Sequence, residues 1–347
     1  MRRQLNTLYV TTEGAWLSKD GANIVMEVER KERARLPVHM LEGVVCFGRV
    51  LVSPPLMGFC AEQGITISFL SPNGRFLARV EGPVAGNVLL RREQYRRSDD
   101  LGRCALIVRN VLIGKVHNQR AVLNRALRDY GDEFAGSETE TSLNAARQRL
   151  ARIMRDLVRE DQLDRLRGLE GEAAQIYFAV FNRLLRGKSS FFNFSGRNRR
   201  PPRDPINALL SFLYTLLTHD CRSALESVGL DPSVGFLHRD RPGRPSLALD
   251  LAEEFRPLLA DRLTLSLINR RQLRERDFSL MDNGAVLLLD DARKKVLTAY
   301  QERKREEIKH VFLDDKVPIG LLPILQAQIL ARHLRGDLDA YPPFLWK

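Results

Sequence analysis

Residues 235–257 read GFLHRDRPGRPSLALDLAEEFRP, a single histidine followed 12 residues later by Asp250 and 15 later by Glu253. From Ser246 onward Leu247, Leu251, Phe255 and Leu258 recur at helical spacing, so an arginine- and proline-rich turn feeds an apolar-striped helix. Asp250 and Glu253 are then i and i+3 on one helix, neighbours on the same face. His238, in the preceding loop, can fold back over that face. A neutral imidazole nitrogen with carboxylate oxygens, ringed by arginines, can hold a divalent cation beside a phosphate.

Working outward, helical periodicity recurs near 87–97, 102–130, 141–160, 166–186, 205–228, 246–270, 290–309 and 318–335, with a polar loop at 131–140. Asn283-Gly284 separates two apolar runs and predicts a short two-stranded insert over Phe278–Leu288. The first 85 residues are punctuated differently. Short β-prone runs lie at 5–11, 15–19, 23–29, 35–38, 43–46, 66–69 and 75–80, and one helix covers 54–63. Asp20-Gly21 and Asn73-Gly74 are hairpin signals. The stretch GPVAG, residues 82–86, reads as a linker. The expected class is α+β: a small N-terminal β-rich domain (1–86) followed by a larger all-helical C-terminal domain (87–347).

The chain has 347 residues, enough for a large core, and its 44% hydrophobic and 28% charged content is that of a folded protein. The net charge of +12 is uneven: residues 1–86 carry 10 Lys/Arg against 8 Asp/Glu, and the remainder 45 against 35. That surplus points to a polyanion, or to no more than a high-pI surface. No apolar run of about 18 residues exists, so no transmembrane helix is expected. The N-terminus has no secretory pattern. Cys46, Cys60, Cys104 and Cys221 form no CxxC pair and read as reduced cytosolic thiols, so a cytoplasmic location is expected.

Two further stretches carry chemistry. In RGLEGEAAQIYFAVF (167–181), Glu170 shares a helical row with Ala174, Tyr177 and Phe181. A carboxylate buried there has to be neutralised, paired or metal-bound; the plainer alternative is a pair with Arg167 or a first-turn carboxylate facing the helix dipole. In FFNFSGRNRRPPRDPINALLSFLYTLL (191–217), three phenylalanines precede Arg197, Arg199, Arg200 and Arg203. Guanidinium groups grip phosphates and aromatic rings stack on unpaired bases, whereas a solvated basic loop needs neither. Asn207, Ser211 and Tyr214 share one stripe of the following helix, as buried polar partners or as part of a site. His39, His117, His219, His310 and His333 have no comparable carboxylate companion and receive no role.

In order and spacing, LEGEAAQIYF, RNRRPPRDPINALLSFLY and GLDPSVGFLH…LDLAEEFRP resemble one family, the CRISPR-associated integrase/endonuclease, Cas-one. The resemblance covers nearly the whole chain and is strongest over 165–260. It implies a catalytic metal site of Glu170, His238 and Glu253 with Asp250 in support, holding Mg²⁺ or Mn²⁺, and aspartate replaces Glu253 in some members. Arg167, Arg241, Arg270 and Arg271 become candidate phosphate contacts. The implied reaction is attack of a DNA fragment's 3′-hydroxyl on a repeat phosphodiester, with hydrolysis when water replaces it. The implied partners are double-stranded DNA fragments and CRISPR repeat DNA. The implied assembly is a homodimer formed through the β domain, bridged by a ferredoxin-like Cas-two dimer into a heterohexamer, with a Cas-four nuclease as a further partner. The competing reading is a non-catalytic basic DNA-binding scaffold.

Overall fold

A computed structural model of the chain describes residues 7–41, 43–72, 76–80, 82, 88–186, 190–198 and 201–346. Among the described residues, the strands between Thr7 and Val80 form two four-stranded sheets. One sheet has the order β1-β5-β7-β8, built from Thr7–Val10, Gly43–Phe47, Thr66–Leu70 and Phe76–Val80. Its first three strands are parallel and β8 is antiparallel. The other has the order β4-β3-β2-β6, from Lys31–Pro37, Asn23–Val28, Trp16–Asp20 and Leu51–Val52.

The β2–β3 hairpin turns at Gly21, whose φ of 57° is the left-handed conformation such turns need. Helix α1 (Pro54–Glu62) starts where Ser53 accepts a hydrogen bond from the Leu56 N–H, with two prolines in the first turn. Strand β4 begins at Lys31, earlier than the sequence suggests, and β6 was not legible in it. The Asn73-Gly74 turn and all of the expected 82–86 linker except Gly82 lie outside the described residues.

β5 couples the two halves of the chain. Its alternate residues Val44 and Cys46 join the small core that contains Leu17, Ile24, Leu56 and Ile67. Val45 and Phe47 point the other way into the large helical core. There Phe47 meets Phe212, with ring centroids 6.2 Å apart. The α+β class is as the sequence implies: strands to residue 80, then a mostly helical remainder.

The helical region runs α2 (Val88–Asp99), α3 (Leu101–Asp129), α4 (Gly131–Phe134), α5 (Glu138–Arg159), α6 (Leu163–Ala179) and α7 (Pro205–Ser227). Caps set several starts: the Asp100 carboxylate accepts from the N–H groups of Gly102 and Arg103, Ser137 from Glu140, and Asp204 from Asn207. The Ser137 cap and short α4 leave less loop in 131–140 than the polar composition suggests.

The expected continuous helix over 246–270 is three pieces: α8 (Ser246–Glu253), a π-helical turn (Arg256–Asp261) and α9 (Arg262–Asn269). Pro257 lacks the N–H that would close an α-helical bond to the Glu253 carbonyl, so the ladder slips at that point.

Strands β9 (Phe278–Leu280) and β10 (Val286–Leu288) form the expected insert. Helix α10 (Asp290–Arg305) stops short of 309. Glu307–His310 (β11) instead pairs antiparallel with Asp315–Pro318 (β12), packing Ile308 and Val317 on the core before α11 (Leu322–Arg335). All four cysteines are free and buried. No helix among the described residues is long and apolar enough to cross a membrane.

Candidate metal centre and basic cleft

Asp250 organises the site. On α8 it is buried, and one carboxylate oxygen accepts the backbone N–H groups of Phe236 (2.6 Å) and Leu237 (2.9 Å). The other oxygen accepts the His238 backbone N–H at 3.0 Å and lies 2.6 Å from His238 Nδ1. An ionised carboxylate has only acceptors to offer. Nδ1 therefore carries a proton, and in the neutral imidazole the lone pair is on Nε2, 3.9 Å from Glu253 Oε1. The loop can approach this closely because residue 235 is glycine: a Cβ there would stand 2.8 Å from Ser246 and 2.9 Å from Asp250 Oδ2. Arg167, on α6, ties the same loop down by donating two hydrogen bonds to the Leu237 carbonyl, each 3.1 Å.

The second organiser is Lys115, on α3. Its ammonium pairs with Glu170 and lies 2.8 Å from Glu253 Oε2. Arg256, in the π-helical turn, pairs with Glu253 Oε1 and stacks over the Tyr214 ring, 4.9 Å from its centroid. Two cations thus balance two carboxylates in a site where Lys115 and Glu253 are buried and Arg256 is partly so. Burial alone would raise the Glu253 carboxyl. The neighbouring Arg256, then Lys115, instead hold it well below the usual carboxylate range. The Lys115 ammonium is opposed by its burial but is held charged by Glu253 and Glu170.

Close approach of three backbones makes this possible. A Cβ at Gly114 would stand 3.0 Å from Pro343 Cβ and 3.2 Å from Glu254 Cγ, so α3, α8 and the C-terminal tail meet there. Asn118 clasps all three, donating to the carbonyls of Glu254 (2.7 Å) and Phe344 (3.0 Å) and accepting from the Trp346 N–H (2.7 Å). Beside it the buried Glu254 carboxyl accepts from the Tyr341 hydroxyl at 2.6 Å and the Phe344 N–H at 2.6 Å, and burial pushes it up to about 8.

The expected site residues come together unevenly. His238, Asp250 and Glu253 form one hydrogen-bonded and charged cluster. Glu170 joins it through Lys115, not through Arg167, and it is part-exposed where the helical row implied burial. Arg167 engages Leu237 and Asp164. Arg197 is no solvated loop residue: its guanidinium donates to Asn207 and Ser211 and stacks over Tyr214.

Phe194 is buried, and all three phenylalanines pack on other rings of the chain. Phe194 packs against Phe181 with centroids 5.3 Å apart, and Phe191 and Phe192 pack on Phe278. Arg203, Arg241, Arg270 and Arg271 are exposed, and Arg199 and Arg200 lie outside the described residues. The sequence reading missed Lys115 and Arg256. Lys115 carries a signal, because it occupies the buried row of α3 with Val108, Leu112, Gln119 and Val122.

Two clefts flank the cluster. One, about 640 Å³, is bounded by His238, Arg167, Arg239, Asp164 and Asp240. The other, about 650 Å³, is lined by Arg197, Tyr214, Arg222, Arg241, Arg244 and Arg256, and Arg256 links it to Glu253. A concave surface with this many guanidinium groups suits phosphate oxygens.

Whether the residues fit a cation can be judged from their donors. His238 Nε2 is the ring nitrogen that Asp250 leaves unengaged, and Glu253 Oε2 is buried with Lys115 Nζ, 2.8 Å away, as its cationic neighbour. Among the described residues, no three His, Cys, Asp or Glu side chains already converge around a cation position; an ammonium lies between the carboxylates instead. Chemically, one imidazole and two carboxylates fit Mn²⁺ or Mg²⁺.

Fold and site define a basic α+β protein with a carboxylate–imidazole cluster. The family model for CRISPR associated protein Cas1 matches residues 8–302. A Rhodospirillum rubrum protein described as CRISPR-associated endonuclease Cas1 2 is 62% identical over 348 residues, covering 100% of both chains. A Geobacter sulfurreducens protein described as a Cas4 exonuclease/Cas1 endonuclease fusion is 38% identical, covering 97% of this chain and 60% of its own length.

Among solved structures, a Cas1 protein of Thermotoga maritima shares the fold at a TM-score of 0.80 and 24% identity, covering 95% of this chain and 97% of the other. A casposase bound to its integration product does so at 0.83 and 22%, covering 99% and 94%. A Cas6-RT-Cas1–Cas2 complex chain does so at 0.81 and 23%, covering 100% of this chain and 36% of the other. The chain belongs to the CRISPR-associated Cas1 family, which the three sequence motifs resemble under the name Cas-one.

Proposed function

We propose that the chain is a metal-dependent DNA integrase and endonuclease that joins the 3′-hydroxyl of a short DNA fragment to a phosphodiester at the edge of a CRISPR repeat. The observation that carries this reading is the Asp250–His238–Glu253 arrangement, a buried carboxylate that holds an imidazole nitrogen open beside a second carboxylate. Glu170, His238 and Glu253 are the residues that would hold Mn²⁺ or Mg²⁺. When bound, the metal supplies polarisation of the scissile phosphate and stabilisation of the leaving 3′-oxygen.

The chain's own part is to bind, orient and charge the site. Asp250 fixes the tautomer and orientation of His238. Arg167 anchors the loop that carries it. Arg241 and Arg244, on the open wall of the basic cleft, grip backbone phosphates without reading sequence. In the joining step the fragment's 3′-oxygen forms a bond to the repeat phosphorus as the repeat's own 3′-oxygen leaves. Attack by water in its place gives a nick. No side chain serves as a covalent nucleophile in this scheme.

Joining a fragment's two ends to opposite strands requires two such sites. That supports a homodimer, which we place at the β-rich domain, with residues 1–86 and 87–347 as the two domains. The likeness to a Cas1–Cas2 complex supports a Cas2 companion, and the fused relative supports a Cas4 partner.

The test is joining of a labelled duplex to a repeat-bearing plasmid with Mn²⁺ and Cas2. A free 3′-hydroxyl should give joined product and a 3′-deoxy end none. Joining by both ends alike, or by neither, would count against this reading.

A further inference from the structure

We infer that Lys115 is the resident counter-cation of the carboxylate pair, seated where a divalent cation has to enter, so that metal binding proceeds by exchange against its ammonium. This rests on the functional reading above. Three observations carry it. The Lys115 side chain is buried, and its Nζ sits between Glu170 and Glu253, reaching both carboxylates at once. Glu253 Oε2 lies 2.8 Å from that ammonium and faces no other donor, so this oxygen is held by a cation that another cation can replace. Lys115 also stands on a helix held rigidly against α8 by Gly114 and Asn118, so the seat is built, while the lysine arm is a flexible stem that can withdraw from it.

The physical consequence is competition. Two carboxylates with Lys115 and Arg256 are electrically neutral as a group. Removing the Lys115 charge leaves a net negative site that attracts a dication more strongly and is costly to keep buried without one. Arginine in its place would grip a carboxylate through two parallel hydrogen bonds and release it less readily. Lys115 is thus a positioning and gating residue for the metal. It has no part in the bond-making step.

The experiment is Mn²⁺ titration by calorimetry on the full-length protein without DNA, with thermal melting in parallel. Lys115→Met is expected to bind Mn²⁺ at least about tenfold more tightly than wild type. It should melt lower without metal and gain more on adding it. Lys115→Arg is expected to bind about threefold or more weakly. Should Lys115→Met be insoluble without metal, recovery of folded protein in Mn²⁺ supports the inference, and Lys115→Arg supplies the affinity reading. Unchanged or weaker binding by Lys115→Met, or tighter binding by Lys115→Arg, overturns it and makes Lys115 a plain structural brace. If wild type and both variants all fail to bind Mn²⁺, the metal-dependent reading of the site falls with it; if only the ordering fails, that reading survives.

Discussion

His238 Nδ1 lies 2.6 Å from an Asp250 oxygen that also accepts the His238 backbone N–H. One buried carboxylate therefore shapes the loop and sets the imidazole tautomer, two tasks that a single substitution should expose. Asp250→Asn keeps the size but offers an amide where three N–H donors and Nδ1–H need acceptors. We expect Mn²⁺ affinity and joining rate to fall about 10–100-fold. The expected loss of stability is about 1–3 kcal/mol. Calorimetric titration and a melting curve check both.

The loop's approach to α8 depends on residue 235 having no side chain. In Gly235→Ala the new methyl would stand 2.8 Å from Ser246 atoms, a distance that forces the backbone apart. The expected result is a lower melting temperature and weaker Mn²⁺ binding together. Wild-type metal affinity in this variant would show that the His238–Asp250 contact tolerates displacement.

Glu254 gives the protein a pH dependence of known sign. Burial raises its carboxyl to about 8, above an unfolded value of about 4.3. The folded state therefore holds this proton over a range in which the unfolded state has released it. The associated stability is complete below about pH 4 and declines as pH rises towards 8, by an amount on the order of a few kcal/mol. Glu254→Gln should flatten that decline. Melting temperatures from pH 5 to 8 provide the comparison, and an unaltered slope in the variant would assign the dependence elsewhere.

The basic cleft should reveal itself through salt. Each phosphate contact contributes close to one to the slope of log affinity against log salt on duplex DNA, so Arg241→Ala with Arg244→Ala should lower that slope by about two. The loss should be uniform across DNA sequences. Retention of the full slope would place the phosphates on another face.

Much of this was legible in the chain. The Asp250/Glu253 face follows from helical spacing, and the turn from strands to helices near residue 85 from the change of period and turn chemistry. What was missed depends on contacts remote in sequence. Lys115 meets Glu170 and Glu253 across 55 and 138 positions, and only its place on an apolar row hints at burial. Glu170 looks buried on its own helix because spacing cannot show that its edge opens to solvent. The slip at Pro257 was visible as a proline, but its outcome, a π-helical turn placing Arg256 on Glu253, is set by tertiary packing. The β11–β12 hairpin was hidden by a run of charged residues that reads as helix.

On our proposal Glu170, His238 and Glu253 act with a metal to join DNA. Its most direct measurement is strand transfer of a labelled short duplex into a repeat-bearing plasmid, with Mn²⁺ and Cas2, comparing wild type with His238→Ala at matched DNA occupancy. Joined product is expected from wild type alone, and only with metal. Equal joining by both proteins, or none by either despite tight DNA binding, would contradict it and leave the cluster a structural feature of a DNA scaffold.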